Sequence, residues 1–323
     1  MTQATRALVT GGAGFIGSHL VDELVRRGVE TYMIDNFSTG TPENTLGYAN
    51  SELVHIMRGD VRSMLGQLRD PQKIDIVFHE AAIASVPTSI SNPEFVHDTN
   101  VNMTLDLMNF CSRKGIHKFI FASSAAVYGS ADFEVEETTI CRPASPYGAG
   151  KLAIENYLSA YGVSMGLRPV VLRYFNVYGP RQRFGFYSGV ITIFIRNILN
   201  NRSLTIEGDG RQTRDFVNVK DIVQANILAM ESQDAVGEVF NVASGMTTSV
   251  LDLVEILKKL SGRNDVECRF VPARAGDVKN GKANIQKIRK TLRYSPKVSM
   301  HDGLIDVLDY MRRLQEKVPQ IAQ

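Results

Sequence analysis

The chain has 323 residues, of which 44% are hydrophobic and 22% charged, and its formal net charge is +2. That length exceeds the usual single core and suits one large α/β domain with a smaller partner. Lys and Arg are scattered, and the pairs Lys258-Lys259 and Arg312-Arg313 sit inside amphipathic patterns, so a nucleic-acid footprint is excluded.

Candidate strands come at Arg6–Thr10, Thr31–Asp35, Leu53–Met57, Ile74–His79, Lys118–Ser123 and Pro169–Tyr174, with amphipathic stretches between most of them. Phe15–Arg27 is one such stretch, placing Ile16, Leu20 and Leu24 on one helix face. This alternation predicts a parallel sheet covered on both sides. Beyond it the pattern loosens. A helix is expected at Val190–Leu199, a turn at Glu207–Gly210, and strands at Phe216–Val219 and Glu238–Val242. Helices follow near Ser249–Leu260, Ile285–Leu292 and Asp302–Gln315. Cys111, Cys141 and Cys268 form no CxxC pair and have no His at ligand spacing, so they read as idle thiols without a metal. The N-terminus shows no basic segment followed by an apolar run, and stretches such as Val190–Ile195 fall far short of a membrane span. A cytoplasmic, membrane-free protein is expected.

The first strand runs directly into Gly11-Gly12-Ala13-Gly14-Phe15-Ile16-Gly17. In such a strand–turn–helix Gly11 permits the tight turn, Gly14 lets the backbone approach a pyrophosphate, and Gly17 lets the helix pack close to the sheet. The helix N-terminus offers free N–H groups and the positive end of its dipole. The second strand ends in Asp35, at the spacing of a carboxylate that grips ribose hydroxyls and repels a 2′-phosphate, which favours NAD over NADP. Asn36 and Ser38-Thr39-Gly40 then form a polar turn around the adenosine. Asp60, followed by Val61, either accepts from the adenine amine or caps a helix.

Tyr147 and Lys151 stand at i and i+4, on one helix face. An ammonium beside a phenol stabilises the phenolate, so a lowered Tyr147 pKa and a role as base are expected. Ser123-Ser124 ends the fifth strand, where ligands bind in open α/β folds, and its hydroxyls either orient a substrate or cap a helix.

These features resemble the extended short-chain dehydrogenase/reductases, in their NAD-dependent sugar-nucleotide epimerase/dehydratase branch. The likeness covers nearly the whole chain. It runs through the Gly turn, His79-Glu80-Ala81-Ala82, Asn100, the segment 123–129, Tyr147 with Lys151, and the segment 173–180. It continues through Gly208-Asp209-Gly210, Arg214-Asp215-Phe216 and Arg274-Ala275-Gly276-Asp277. The resemblance implies an α/β fold: a Rossmann-type doubly wound parallel sheet with a smaller α/β C-terminal domain. Residues 1–176 would hold NAD, with about 214–244 returning to that domain, and 177–323 would hold the sugar nucleotide. Ser124, Tyr147 and Lys151 are the expected catalytic residues. Ala81, Ala82, Asn100, Ser123, Tyr174 and Phe175 join the Gly turn on the cofactor side. Asn176, Arg214 and Arg274 are expected on the sugar diphosphate, Ser85 and Val190 on the substrate, and Thr205 and Glu207 near its base. A homodimer through helices near Asn102–Arg113 and Tyr147–Tyr161 is also implied, with Leu105, Met108 and Leu152 either at that contact or in the core.

The branch's reactions begin alike, with proton loss from the sugar 4-hydroxyl and hydride transfer to NAD. Similar dehydratases carry an Asp-Glu pair after the hydroxyl residue, and similar decarboxylases a Glu at the second of those places. Ala125 and Ala126 stand there and transfer no protons. That departure favours 4-epimerisation of a UDP-sugar over the other reactions, with a GDP or TDP base or a non-catalytic NAD-binding scaffold as alternatives. By the same resemblance Gly281 lines the sugar pocket where hexose-only members often carry Tyr, which leaves room for an N-acetyl group beside UDP-glucose and UDP-galactose. Asn280-Gly281 is equally a turn dipeptide.

Overall fold

Short apolar strands alternating with amphipathic helices assemble into a seven-stranded sheet. Its strands are β1 (Arg6–Thr10), β2 (Glu30–Asp35), β3 (Val54–Arg58), β4 (Ile76–His79), β5 (Lys118–Ser124), β6 (Arg168–Tyr174) and β7 (Val239–Val242). They lie in the order 3-2-1-4-5-6-7, every neighbouring pair parallel. The computed structural model describes residues 5–68, 70–185, 189–273 and 279–317.

The longer helices are α1 (Phe15–Arg26), α2 (Met103–Lys114), α3 (Pro146–Met165), α4 (Val190–Leu199), α5 (Val219–Glu231), α6 (Val250–Ser261) and α7 (Met300–Lys317). On one face of the sheet Leu20 and Leu24 of α1 and Ile222 of α5 pack with Val9, Phe78 and Val170. On the other, Leu107 and Met108 of α2 and Ile154 and Leu158 of α3 pack with Leu8, Val77 and Phe121. Met108 is therefore core, not contact surface. A third core joins Ile195 and Ile198 of α4, Leu253 and Leu257 of α6 and Leu304 and Leu308 of α7. No helix among the described residues is long and apolar enough to cross a membrane.

The expected strands and helices appear within about two residues of their read bounds. Several short strands were not legible. Thr248–Ser249, Thr213–Arg214, Asn280–Ala283 and Glu134–Val135 form a four-stranded sheet, and Leu204–Glu207 pairs with Cys268–Val271. Strands this short carry too little alternation to register a period. Asn280-Gly281 accordingly begins a strand, with Gly281 opposite Arg214, and not a turn. All three cysteines are free thiols.

The order of strands reverses between β1 and β4, so the connections leaving their carboxyl ends diverge and open a crevice. Two residues fix its floor. His79, at the end of β4, is fully enclosed, with Nδ1 2.7 Å from Thr10 Oγ1 and Nε2 2.7 Å from Thr104 Oγ1. Asn100 accepts from the Ile83 N–H at 2.8 Å and donates to the Ile83 carbonyl at 3.0 Å, pinning the loop after β4.

Candidate active site

A cleft of about 680 Å³ runs along the carboxyl ends of β1 to β6. Its lining includes Gly11, Gly14, Phe15, Ile16 and Gly17 after β1, and Asp35, Asn36, Ser38 and Thr39 after β2. Asp60 and Val61 follow β3, Glu80, Ala81 and Ala82 follow β4, and Ser123, Ser124, Tyr147, Lys151, Tyr174, Phe175 and Asn176 complete it.

Gly11 has φ +71°, and a Cβ there would stand 2.8 Å from the Ala81 nitrogen. At Gly17 a Cβ would lie 2.2 Å from the Gly11 carbonyl oxygen, so the absent side chain is what lets α1 seat on the turn. Gly14 caps α1 with no side-chain bond to the free N–H groups, and no acidic residue stands in the first turn. A helix start with a glycine cap and N–H groups free of side-chain partners fits a pyrophosphate. Asp35 is buried, and its carboxylate accepts from the Ala13 N–H at 2.9 Å and the Phe37 N–H at 2.7 Å. Burial raises its pKa while those N–H groups oppose the rise. Gly40 packs against Ala13, where a Cβ would come within 2.9 Å of its backbone. Asp60 caps the helix Val61–Leu65 through the Arg62 N–H at 3.0 Å while also lining the cleft.

The helix α3 begins at Pro146 behind Ser145, whose hydroxyl accepts from the Gly148 N–H at 3.1 Å. Gly148 is buried against the turn after β5, where a Cβ would stand 2.5 Å from the Ala126 carbonyl oxygen. That close approach brings Tyr147 beside Ser124 on the lining of one cleft. Ser124 also caps the short helix Ala125–Tyr128 through the Ala126 N–H at 3.2 Å, so it occupies both expected roles. Lys151 is buried, donates to the Ala122 carbonyl at 2.5 Å and lies 5.9 Å from the centroid of the Tyr147 ring.

Among the protein groups of this cleft the Tyr147 pKa is raised, against the expected lowering. Burial pushes it up, the nearby Ser124 hydroxyl pulls against this, and the charge of Glu80 adds to the rise. Lys151 donates to a backbone carbonyl, and burial lowers its own pKa to about 8. Glu80 was not among the expected site residues. Burial raises its pKa to about 7, opposed by the Tyr174 hydroxyl and by Lys151. A carboxylate directly after the end of a buried strand was the available signal.

A second pocket of about 160 Å³ adjoins Phe175 and Asn176. Ala125, Ala126, Arg214, Gly281 and Lys282 share its lining, so residues far apart in sequence meet at one small cavity. The Asn176 amide donates to the Asp215 carbonyl at 3.1 Å. Ser85 is buried as the cap of the helix Val86–Ser91, accepting from Thr88, and borders neither pocket. Val190 opens α4 beside Gly189, a cleft residue, and Thr205 and Glu207 lie on the strand Leu204–Glu207. Arg274 lies outside the described residues. Arg181, Gln182, Arg183 and Phe184 line the larger cleft and were also missed.

Comparison with known proteins agrees with this geometry. The profile of the NAD dependent epimerase/dehydratase family matches residues 7–243. The UDP-glucose 4-epimerase of Mycolicibacterium smegmatis is 35% identical over 311 residues, spanning 95% of this chain and 98% of that one. The structure of UDP-glucose 4-epimerase from Thermotoga maritima with UDP-glucose matches with TM-score 0.90 and 38% identity, over 96% of this chain and 100% of that one. UDP-N-acetylglucosamine 4-epimerase from Methanobrevibacter ruminantium, in complex with UDP-N-acetylmuramic acid, gives TM-score 0.90 and 37% identity, over 97% and 100%. With its parallel sheet, its Gly turn and its cleft at the strand ends, the chain belongs to the NAD dependent epimerase/dehydratase family.

Proposed function

We propose that this chain is an NAD-dependent UDP-sugar 4-epimerase, acting on UDP-glucose and UDP-galactose and accepting their N-acetylated counterparts. One observation carries the reading. Ser124, Tyr147 and Lys151 meet at the end of β5, and the adjoining small pocket presents Ala125 and Ala126 where further proton transfer would need acids.

In this reading the Gly turn holds the pyrophosphate of NAD and Asp35 its adenosine ribose, with residues 36–40, Asp60 and Val61 around the adenine. When bound, NAD supplies a reversible hydride acceptor. Tyr147 removes and returns the proton of the sugar 4-hydroxyl, Ser124 orients that hydroxyl, and Lys151 favours the phenolate. Arg214, together with Arg274, neutralises the diphosphate. Asn176 adds an amide contact. Gly281 shares the small pocket with Ala125 and Ala126 and contributes no side chain to it, which favours room for an acetamido group. Residues 1–176, with 214–244, form the cofactor domain and 177–323 the sugar-nucleotide domain. A cytoplasmic homodimer through α2 and α3 completes the proposal. Tyr157 and Val163 of α3 are exposed and available to such a contact.

Product analysis with UDP-, GDP- and TDP-sugars tests the assignment. UDP-glucose and UDP-galactose should interconvert without net NADH, and so should the N-acetylated pair. A dehydrated or decarboxylated product, or turnover restricted to GDP- or TDP-sugars, would sink it.

A further inference from the structure

Glu80 is a cleft carboxylate to which the reaction above gives no task. It stands at the carboxyl end of β4, between the Gly turn on β1 and the Ser124–Tyr147–Lys151 cluster on β5 and α3. Its Oε1 accepts from the Tyr174 hydroxyl at 2.8 Å, and that hydroxyl in turn accepts from the Asn226 amide at 2.7 Å. Asn226 is fixed on α5 by its own bond to the Ile222 carbonyl at 3.0 Å. Tyr174 of β6 and, behind it, Asn226 of α5 thus hold the carboxyl group in place.

The buried carboxylates with structural tasks look different. Glu155 is locked to Arg173 at 2.6 Å, and Asp215 accepts from Ser244 and from the Gly245 N–H. Glu80 has instead a single neutral phenol among its described hydrogen-bond partners. The charged and titratable groups facing it are Lys151 and Tyr147 from α3 and Tyr174 from β6. Asp35 and the Gly turn fix the adenosine and phosphate end of a dinucleotide over β1 and β2. Its other end must therefore extend over β4 to β6, where Glu80 is the lining carboxylate and Lys151 the lining ammonium. An oxidised nicotinamide brings a positive charge to that end, and a reduced one brings none.

We propose that Glu80 is a fixed counter-charge that makes the cleft favour the oxidised dinucleotide over the reduced one. Without it an oxidised nicotinamide over β4 to β6 would face the Lys151 ammonium with no lining carboxylate beside it. With it the two cations share a carboxylate on the same lining, and Coulomb interactions in a low-dielectric cleft are strong enough to shift an affinity about tenfold. This keeps NAD oxidised between turnovers, as an internal hydride store requires. The inference deepens the epimerase reading but needs only that the chain binds NAD.

The test is equilibrium binding of NAD and of NADH to the purified chain. The protein contains no Trp, so nicotinamide fluorescence reports NADH directly and NAD by competition. Glu80→Gln keeps an acceptor for Tyr174 and removes the charge, and Glu80→Asp keeps the charge. At pH 8 the ratio of NAD to NADH affinity should fall about tenfold in the Gln variant relative to the parent and largely recover in the Asp variant. At pH 5.5, with Glu80 protonated, parent and Gln variant should agree. An unchanged ratio at pH 8, or a parallel loss of both affinities, overturns the counter-charge role while leaving the epimerase reading intact. A parent chain that binds neither dinucleotide overturns both.

Discussion

Tyr147 is enclosed beside Ser124 and within the field of Glu80, and both burial and that charge hold the phenol protonated. The proposed role as base requires loss of that proton, which a positive charge brought by a ligand would favour. Lys151 lies 5.9 Å from the ring and directs its ammonium at the Ala122 carbonyl, which makes it a standing but incomplete stabiliser. In the proposed reading the positive nicotinamide of oxidised NAD would add the missing field, and the neutral reduced ring would not. Tyr147 should therefore ionise about one pH unit lower in the NAD-loaded chain than in the NADH-loaded chain. Phenolate absorbance, corrected with Tyr147→Phe, measures this. Equal titration in the two states would show that the cofactor's charge does not reach Tyr147.

At the scale of elements, the site depends on how closely α3 meets the end of β5. Gly148 lets the helix touch the Ala126 carbonyl, and Gly148→Ala must push them apart, because the Cβ would fall 2.5 Å from that oxygen. A shift of about 1 Å between Tyr147 and Ser124 should lower kcat roughly 100-fold. The effect on KM should be small. Steady-state kinetics separates the two, and a change confined to KM would argue against the placement. Behind the site, the Arg173–Glu155 pair ties β6 to α3, and Ser123 donates to Glu155 at 2.5 Å. Both side chains are about 5–6% exposed, so Arg173→Met strands a buried carboxylate and should cost about 3–5 kcal/mol in urea unfolding. Elements with a long period, such as α1, and turns with obligatory glycines were legible in the sequence because local chemistry alone determines them. The pocket uniting Ala125, Arg214 and Gly281 was legible only through likeness to a family, since the strands that build it are two to four residues long. Glu80 was passed over because its meaning comes from Tyr174 and Asn226, which only the fold brings to it.

For the molecule as a whole, an enclosed cleft lined by Glu80 and Lys151 sets ligand binding against stability. Glu80 has its pKa raised from 4.5 to about 7, and Lys151 has its own lowered from 10.5 to about 8. Both shifts are led by burial, which disfavours the charged forms. For Glu80 the folded chain holds a proton that the unfolded chain has already released. Its contribution to stability is therefore fully present below pH 4.5 and is lost as pH rises through about 7. Lys151 has the opposite sign: its contribution is present above pH 10.5 and is lost as pH falls through about 8. Near pH 7.5 the empty cleft thus carries both losses at once. Glu80→Gln cannot ionise, so in chemical denaturation without cofactor it should gain stability over the parent as pH rises from 4.5 to 7. The gap should then stay level toward pH 8. A constant gap across that range would mean that Glu80 does not change its protonation there.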